Sequence, residues 1–163
     1  VKDEKIEYIG GTGVGGGTLV GLAQTMLEIR EIDHLEALAE NGDISKVDLR
    51  ISDISNKSLS PTLELDTTAS NFGKLSDLAT REDLALGLIN VVFETIGMMS
   101  VFAARCFGVQ NVVLTGKLSV MKKARYVFDV LGKMFHMNFI FPENSRYGTV
   151  IGAALAECPE TSL

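Results

Sequence analysis

Apolar and polar positions follow two different periods along the N-terminal part of the chain, with a run of glycines between them. Residues 6–9 alternate between polar and apolar and lead into that run, which predicts a strand ending in a turn. Thr18 then opens a helical pattern and is the predicted N-cap, because its hydroxyl can accept a bond from a first-turn amide. A second helical pattern passes through Leu35 and Leu38 and ends at Asn41-Gly42, a normal C-terminal signal.

The rest of the chain predicts one long loop and a regular alternation of helices and strands. Residues 48–54 alternate as a strand would, whereas residues 55–80 lose periodicity, as functional or mobile loops do. The stretch Ala69–Lys74 predicts a tight, anchored turn, with or without a ligand. A long apolar helix starts behind the cap Thr80 and ends near Gly108. A strand, a helix, a strand and a final helix follow at 111–116, 119–134, 137–141 and 147–156, so the class is α/β.

Composition and charge exclude several classes of function. With 46% apolar residues, the chain can bury a core of about one domain. A net charge of -6 argues against a nucleic-acid partner, because a protein that binds nucleic acid needs a basic face. Cys106 and Cys158 have no metal-ligand spacing, so we expect no metal site and a reducing, cytoplasmic location.

The long helix raises the question of a membrane. Residues 84–107 are long enough to cross a bilayer, but Asn90 and Glu94 fall near the middle, where an acid is costly. We therefore predict no membrane span and a helix covered by protein, in part at a homodimer interface, because it is apolar almost all round. The sequence lacks a starting Met and a strand begins almost at once, so we expect it to be part of a longer protein.

The glycine-rich turn Gly10–Gly17 has the properties of a phosphate-binding loop. Phosphates need backbone amides aimed at them and room for close approach, and glycine supplies that room. The following helix adds free N–H groups and a partial positive charge at its N-terminus. A structural turn without a ligand is the alternative, but so many glycines cost stability, at up to about 1 kcal/mol each.

Three kinds of nucleotide loop fit a strand, a glycine run and a helix. The P-loop requires Lys at the position of Gly17 and is excluded. The dinucleotide pattern G-x-G-x-x-G matches at Gly11, Gly13 and Gly16, but the acidic strand end expected about 20 residues on is replaced by a helical pattern. The third kind is the second phosphate loop of the sugar kinase, heat-shock ATPase and actin superfamily. There a later strand and glycine turn, here Leu114-Thr115-Gly116, support the adenosine.

The sequence closely resembles type II pantothenate kinases, of the staphylococcal and animal kind. The resemblance covers nearly all 163 residues and preserves the order and spacing of its motifs. It rests on the phosphate loop and on four further stretches: residues 10–22, 39–43 with 47–48, 69–73, 111–116 and 147–154.

The resemblance implies a fold, an activity and a set of ligands. Residues 1–163 would be the C-terminal ATP-binding lobe of an actin-like, sugar-kinase (ribonuclease H-like) ATPase, with the N-terminal lobe outside the chain. The full enzyme would use ATP and Mg²⁺ to phosphorylate pantothenate, the first step of coenzyme A synthesis, and would form a homodimer. No catalytic residue is predicted here, because the first phosphate motif and the catalytic carboxylate would lie in the other lobe. ATP would be bound by Gly13, Gly15, Gly16, Gly17, Thr18, Leu19, Ile32, Gly116 and Lys117.

Two positions depart from the family pattern. Where the family places an Arg that grips the pantothenate carboxylate, this chain has Tyr8, which cannot supply a bidentate cationic contact. Where the family tends to carry an aromatic residue against adenine, this chain has Ile32. The alternatives are therefore a kinase for a different small hydroxyl substrate, an inactive regulatory module of the same fold, or a dinucleotide-binding oxidoreductase domain.

Overall fold

The computed structural model describes residues 6–57 and 63–157. Within these ranges the fold is helix-rich α/β, with six α-helices, four short strands and three 3₁₀ helices. The helices are α1 Gly16–Leu27, α2 Ile32–Ala39, α3 Ile51–Ile54, α4 Arg81–Phe107, α5 Lys122–Phe135 and α6 Gly148–Glu157. The strands are β1 Leu49–Arg50, β2 Thr68–Ser70, β3 Asn111–Val113 and β4 Asn138–Ile140, and the 3₁₀ helices are Ile44–Lys46, Lys117–Val120 and Ser145–Tyr147.

The long helix α4 is the centre of the molecule, and both of its predicted ends are confirmed. The Thr80 hydroxyl accepts from the Asp83 N–H, while the Asp83 carboxylate accepts from the Thr80 N–H, which forms a capping box. Gly108 ends the helix in the left-handed conformation. Helices α1, α2 and α5 pack around α4, and the shared core includes Leu19, Leu27, Leu35, Leu88, Ile89, Phe93 and Phe128.

The two halves of α4 differ in how far their side chains are buried. Its N-terminal half is almost entirely buried, whereas Met99, Phe102 and Phe107 near its C-terminal end are 48%, 51% and 41% exposed. By length and composition α4 also meets the requirements for a membrane span, but 56% of its most apolar stretch is buried inside the molecule. That burial is typical of a core helix.

The strands form two separate pairs in the part of the chain that the structure describes. Strands β1 and β2 are antiparallel, with Leu49 opposite Ser70 and Arg50 opposite Thr68. Strands β3 and β4 are parallel, with Val112 opposite Phe139, and α5 makes the crossover that a parallel pair requires.

Two predicted strands are corrected. Residues 6–9 are not a strand: their side chains are exposed, and no described strand pairs with their backbone. The strand predicted at 48–54 is only two residues long, and helix α3 follows it. The Asp53 carboxylate accepts from the Arg50 N–H at 2.9 Å, which starts α3 where alternation predicted more strand.

The predicted loop at 55–80 is partly described. It contains β2 and the turn that follows it, whereas residues 58–62 and also Cys158 lie outside the described residues.

Candidate functional site

The glycine loop is an exposed segment that two glycines bend into its shape. Gly10 and Gly13 have φ angles of 113° and 73°, in the region that favours glycine. Within the loop, the Val14 N–H donates to the Thr12 hydroxyl oxygen at 3.0 Å. The loop therefore has a defined path to α1 even though residues 6–9 before it are not a strand.

Helix α1 begins three residues earlier than predicted, at Gly16, with Gly15 and not Thr18 as the N-cap. Thr18 is consequently not the N-cap but the third residue of the helix. Its hydroxyl donates to the Gly13 carbonyl at 2.9 Å and accepts from the Gly15 N–H at 3.3 Å. Thr18 thus ties the first turn of the helix back to the loop.

The first turn of α1 presents both amides and open space. In any α-helix the first N–H groups have no acceptor within the helix, and here these belong to Gly16, Gly17 and Thr18. A methyl group added at Gly15 or Gly17 would meet nothing within 4 Å, and one at Gly16 would only touch Leu118 at 3.6 Å. No acidic side chain lies in the first turn to compete for the helix dipole. This arrangement suits a bound anion.

A second turn lies beside the first turn of α1, since the side chain of Leu118 lies 3.6 Å from the position that a methyl group on Gly16 would take. This turn starts at Gly116, which has a φ angle of 98° and donates its N–H to the Ser145 carbonyl at 2.8 Å. The side chain of Lys117 is exposed next to it. The structure therefore brings together the loop residues and the Gly116-Lys117 turn that the sequence predicted as one site.

The start of α6 joins the same region. A methyl group on Gly148 would lie 2.8 Å from Cγ2 of Thr115, so only glycine allows this close approach. Three glycine turns, around residues 10–17, 116 and 148, thus meet at one end of the fold.

Two residues that were predicted to bind ATP are buried. Leu19 is 0% exposed in the core, and its N–H donates to the Gly15 carbonyl at 2.9 Å, so it has no free donor for a phosphate. Ile32 is 6% exposed and begins α2, where it packs into the core instead of onto an open surface. Both residues hold the helices in place, and helical periodicity alone would have assigned them to the core.

Tyr8 stands before the loop and is 88% exposed. Its hydroxyl oxygen lies 3.9 Å from the position that a methyl group on Gly11 would take. The phenol is thus available to a ligand, but it carries no positive charge at neutral pH.

The described residues contain no group of three or more His, Cys, Asp or Glu side chains able to hold a metal ion. A Mg²⁺ ion at this end of the fold would therefore need other oxygen ligands, and Mg²⁺ commonly binds through a few carboxylates together with substrate phosphates.

Sequence reasoning predicted the turn at 69–74 but missed its anchors. The buried Asp48 carboxylate accepts from the Phe72 N–H at 2.8 Å and from the Asn90 amide at 2.9 Å. The Asn71 amide donates to Glu94 at 2.8 Å. This network holds Phe72 at a φ angle of 58°, which is uncommon for a residue other than glycine. The prediction of a tight, anchored turn is confirmed, although no local signal identifies partners more than 20 residues away.

A cavity of about 370 Å³ adjoins this network. Its polar wall includes Arg50, Glu94 and Lys123, and its apolar wall includes Leu131 and Met134. Burial, followed by the nearby Arg50 charge, lowers the pKa of Lys123. Neither the glycine loop nor the Gly116 turn lines this cavity.

Comparison with known proteins gives one family and several relatives. The sequence model of the Fumble family matches residues 1–155. A type II pantothenate kinase of Oceanobacillus iheyensis is 33% identical over 151 residues, which cover 91% of this chain and 57% of the relative. The protein of the same name from Staphylococcus aureus strain MRSA252 is 34% identical over 156 residues, which cover 89% of this chain and 56% of the relative. The protein from strain USA300 is 30% identical over 160 residues, which cover 91% of this chain and 57% of the relative. The chain thus spans little more than half the length of these relatives.

Proposed function

Because the chain belongs to the Fumble family, we propose that it is the ATP-binding half of a pantothenate kinase-like enzyme. The enzyme transfers the γ-phosphate of ATP to pantothenate in the first step of coenzyme A biosynthesis. The names of the relatives support the reaction class, and the glycine turns support the part that this chain plays in it.

One observation carries the proposal: the fold does not need glycine at Gly15 or Gly17. The φ angle of Gly15 is -174°, which any residue adopts, and Gly17 lies inside a regular helix turn. Open space surrounds both positions, whereas an alanine at Gly17 would raise the stability of the helix. A phosphate group that approaches the backbone closely explains why side chains are missing there.

We propose different roles for the predicted residues. The N–H groups of Gly16, Gly17 and Thr18 hold phosphate oxygens, and Gly13 lets the loop turn toward them. Gly116 and Lys117 lie on the nucleoside side, where the Lys117 ammonium adds charge attraction. Leu19 and Ile32 act only through the core. In phosphoryl transfer, such positioning and charge neutralisation supply most of the catalysis.

The remaining features of the proposal concern the whole protein. We place the chain in the C-terminal lobe of the actin-like, sugar-kinase fold, supported by the β3–α5–β4 crossover and the three glycine turns. The first phosphate motif and the catalytic carboxylate come from an N-terminal lobe, and Mg²⁺, when bound, neutralises charge on the transferred phosphate. The exposed Met99 and Phe102 of α4 support a homodimer interface. The net charge of -6 supports the proposal that the enzyme does not bind nucleic acid, and the burial of α4 supports the proposal that it does not span a membrane. The low number of cysteines, two in 163 residues, supports a cytoplasmic location.

Tyr8 favours a second candidate function. An exposed phenol stands where an arginine would grip a carboxylate, so the acceptor in this protein would be another small hydroxyl compound, or the module would be an inactive, regulatory one.

Turnover and titration together test these proposals. The full-length protein that contains this chain is supplied with ATP, Mg²⁺ and pantothenate, and ADP release is measured. Release with pantothenate supports the first proposal, whereas release only with another hydroxyl compound supports the second, and no release with any acceptor supports an inactive module. In a separate titration of the 163-residue chain, ATP should raise the melting temperature and NAD should not. Stabilisation by NAD alone would contradict both proposals and indicate an oxidoreductase domain.

A further inference from the structure

Two buried serines connect the turn at Gly116 with the start of α6. Ser119 and Ser145 are each 5% exposed, and their hydroxyl oxygens lie 2.7 Å apart. The Ser119 oxygen also lies 2.7 Å from the Gly116 carbonyl oxygen. A carbonyl can only accept, so the Ser119 proton is directed to Gly116 and the Ser145 hydroxyl donates to Ser119.

The serine pair is part of a closed set of contacts. The Gly116 N–H donates to the backbone carbonyl of Ser145 at 2.8 Å, and the Gly116 carbonyl accepts from the Ser119 N–H at 3.1 Å as well as from the Ser119 hydroxyl. The close packing of Gly148 on Thr115 fixes the same two segments on the other side of Gly116. Gly116 itself has a φ angle of 98° and would otherwise be free to change conformation.

We propose that Ser119 and Ser145 are positioning residues for the nucleoside side of the ATP site, an inference that rests on the proposed function. Through Gly116 they fix Lys117, which is exposed, and Leu118, whose side chain lies beside Gly16 of the phosphate loop. A turn that is rigid before the ligand arrives loses less conformational freedom on binding, which raises affinity. The pair thus sets how well the base and ribose are held, while the amides of α1 hold the phosphates.

The variants Ser119→Ala, Ser145→Ala and the double variant test this inference. In Ser119→Ala the buried Ser145 hydroxyl loses its acceptor, which lowers stability for structural reasons alone, whereas in Ser145→Ala the Ser119 hydroxyl keeps its bond to the Gly116 carbonyl. The double variant removes both hydroxyls, so its melting temperature should recover relative to Ser119→Ala. Its affinity for ATP should not recover, because the hydroxyl bonds that join Ser145, Ser119 and the Gly116 carbonyl are still missing and only the backbone bonds of Gly116 remain.

The dissociation constants of ATP and of inorganic triphosphate are measured by calorimetry for each variant of the 163-residue chain. We expect the constant for ATP to rise about fivefold in the double variant, while that for triphosphate changes less than about twofold. The matched control is Ser100→Ala in α4, which removes a hydroxyl bond of 2.8 Å to the Ile96 carbonyl and should leave ATP binding unchanged.

The outcomes separate the inference from the proposed function. If the wild-type chain binds ATP and the double variant binds it equally well, the positioning role is wrong and the ATP site stands. An equal loss of ATP and triphosphate affinity also overturns the inference, because the pair would then act on the whole site. A wild-type chain that binds neither ligand would contradict the proposed function itself.

Discussion

Two groups of glycines in this protein show how the same residue serves a ligand or a fold. The loop glycines, Gly15, Gly16 and Gly17, lie at the start of α1, and an added methyl group there would meet open space or an ordinary contact. The contact glycines, Gly42, Gly87 and Gly97, lie against other elements, and a methyl group there would come within 3 Å of a neighbour. Glycine is thus required by packing in the second group but not in the first.

The difference gives a criterion for a binding site that does not depend on a motif. A contact glycine stabilises the fold because it lets two elements approach, as Gly42 does against the backbone of α4. A loop glycine lowers stability without gaining any contact inside the protein. The reason for glycine at these positions must then be a ligand, and the free amides of α1 indicate that this ligand is an anion.

The largest expected effect is on stability, at Gly42. In Gly42→Ala the new methyl group would lie 2.4 Å from the Glu82 carbonyl oxygen, and a backbone oxygen cannot move aside cheaply. We expect the free energy of unfolding to fall by about 3 kcal/mol. Urea denaturation measures the change, and Gly21→Ala in α1, where nothing lies within 4 Å, is the control. Equal stability of the two variants would remove the distinction between the groups.

The next effect is on ligand affinity, at Gly17. In Gly17→Ala the methyl group takes space that we assign to phosphate, so ATP should bind about thirtyfold more weakly, a loss of about 2 kcal/mol. The free energy of unfolding should stay equal or rise by up to about 1 kcal/mol. Gly21→Ala, on the same helix, should show the same gain in stability without any loss of ATP affinity. Unchanged ATP binding in Gly17→Ala would show that the loop is only structural.

A smaller effect concerns the acid that supports Gly42. The buried Asp83 carboxylate accepts from the Asp43 N–H at 2.7 Å and from the Thr80 N–H at 2.9 Å, and these backbone bonds lower its pKa. A lowered pKa in the folded state means that the charged form stabilises the fold above about pH 4, the unfolded value, and that this contribution is lost as the pH falls through the folded pKa.

We therefore expect Asp83→Asn to lower the free energy of unfolding by about 1.5 kcal/mol at pH 7 and by less as the pH falls below about 4. Urea denaturation at several pH values measures this convergence. The exposed Asp129→Asn, which loses a surface pair with Lys133, should cost less than about 0.5 kcal/mol at pH 7. If wild type and Asp83→Asn remained equally far apart down to pH 2, the carboxylate charge would not be the cause.

The predictions from sequence succeeded where the signals are local. The ends of α4 follow from Thr80, Asp83 and Gly108, all within one turn of the helix boundary. The order of β3, α5, β4 and α6 follows from changes in periodicity between short glycine and proline turns. The meeting of the glycine loop with Gly116 follows from the family resemblance and not from the residues alone, since they lie about 100 positions apart.

The predictions from sequence failed where contacts between distant residues determine the local structure. Residues 6–9 alternate as a strand does, but a strand needs a partner to pair its backbone, and that partner is not encoded in the alternation. Thr18 is a favourable N-cap residue by type, but Gly15 is the N-cap in the structure. With the helix starting there, the Thr18 hydroxyl bonds to both the Gly13 carbonyl and the Gly15 N–H. The anchors of the turn at 69–74 come from Asp48 and from α4, which no window of sequence would join.

The smallest effect on ATP affinity should come from substitution of Thr18, whose side chain is assigned no phosphate contact but holds the loop glycines in place. Its hydroxyl connects Gly13 and Gly15, so it holds the loop in the shape that leaves the amides of Gly16 and Gly17 free. In Thr18→Val both bonds are lost at nearly constant volume, and we expect ATP to bind about threefold to fivefold more weakly, with a loss of stability of about 1 kcal/mol. Thr18→Ser keeps the hydroxyl and should bind ATP as the wild type does. If the serine variant were as weak as the valine variant, the methyl group and not the hydroxyl would hold the loop.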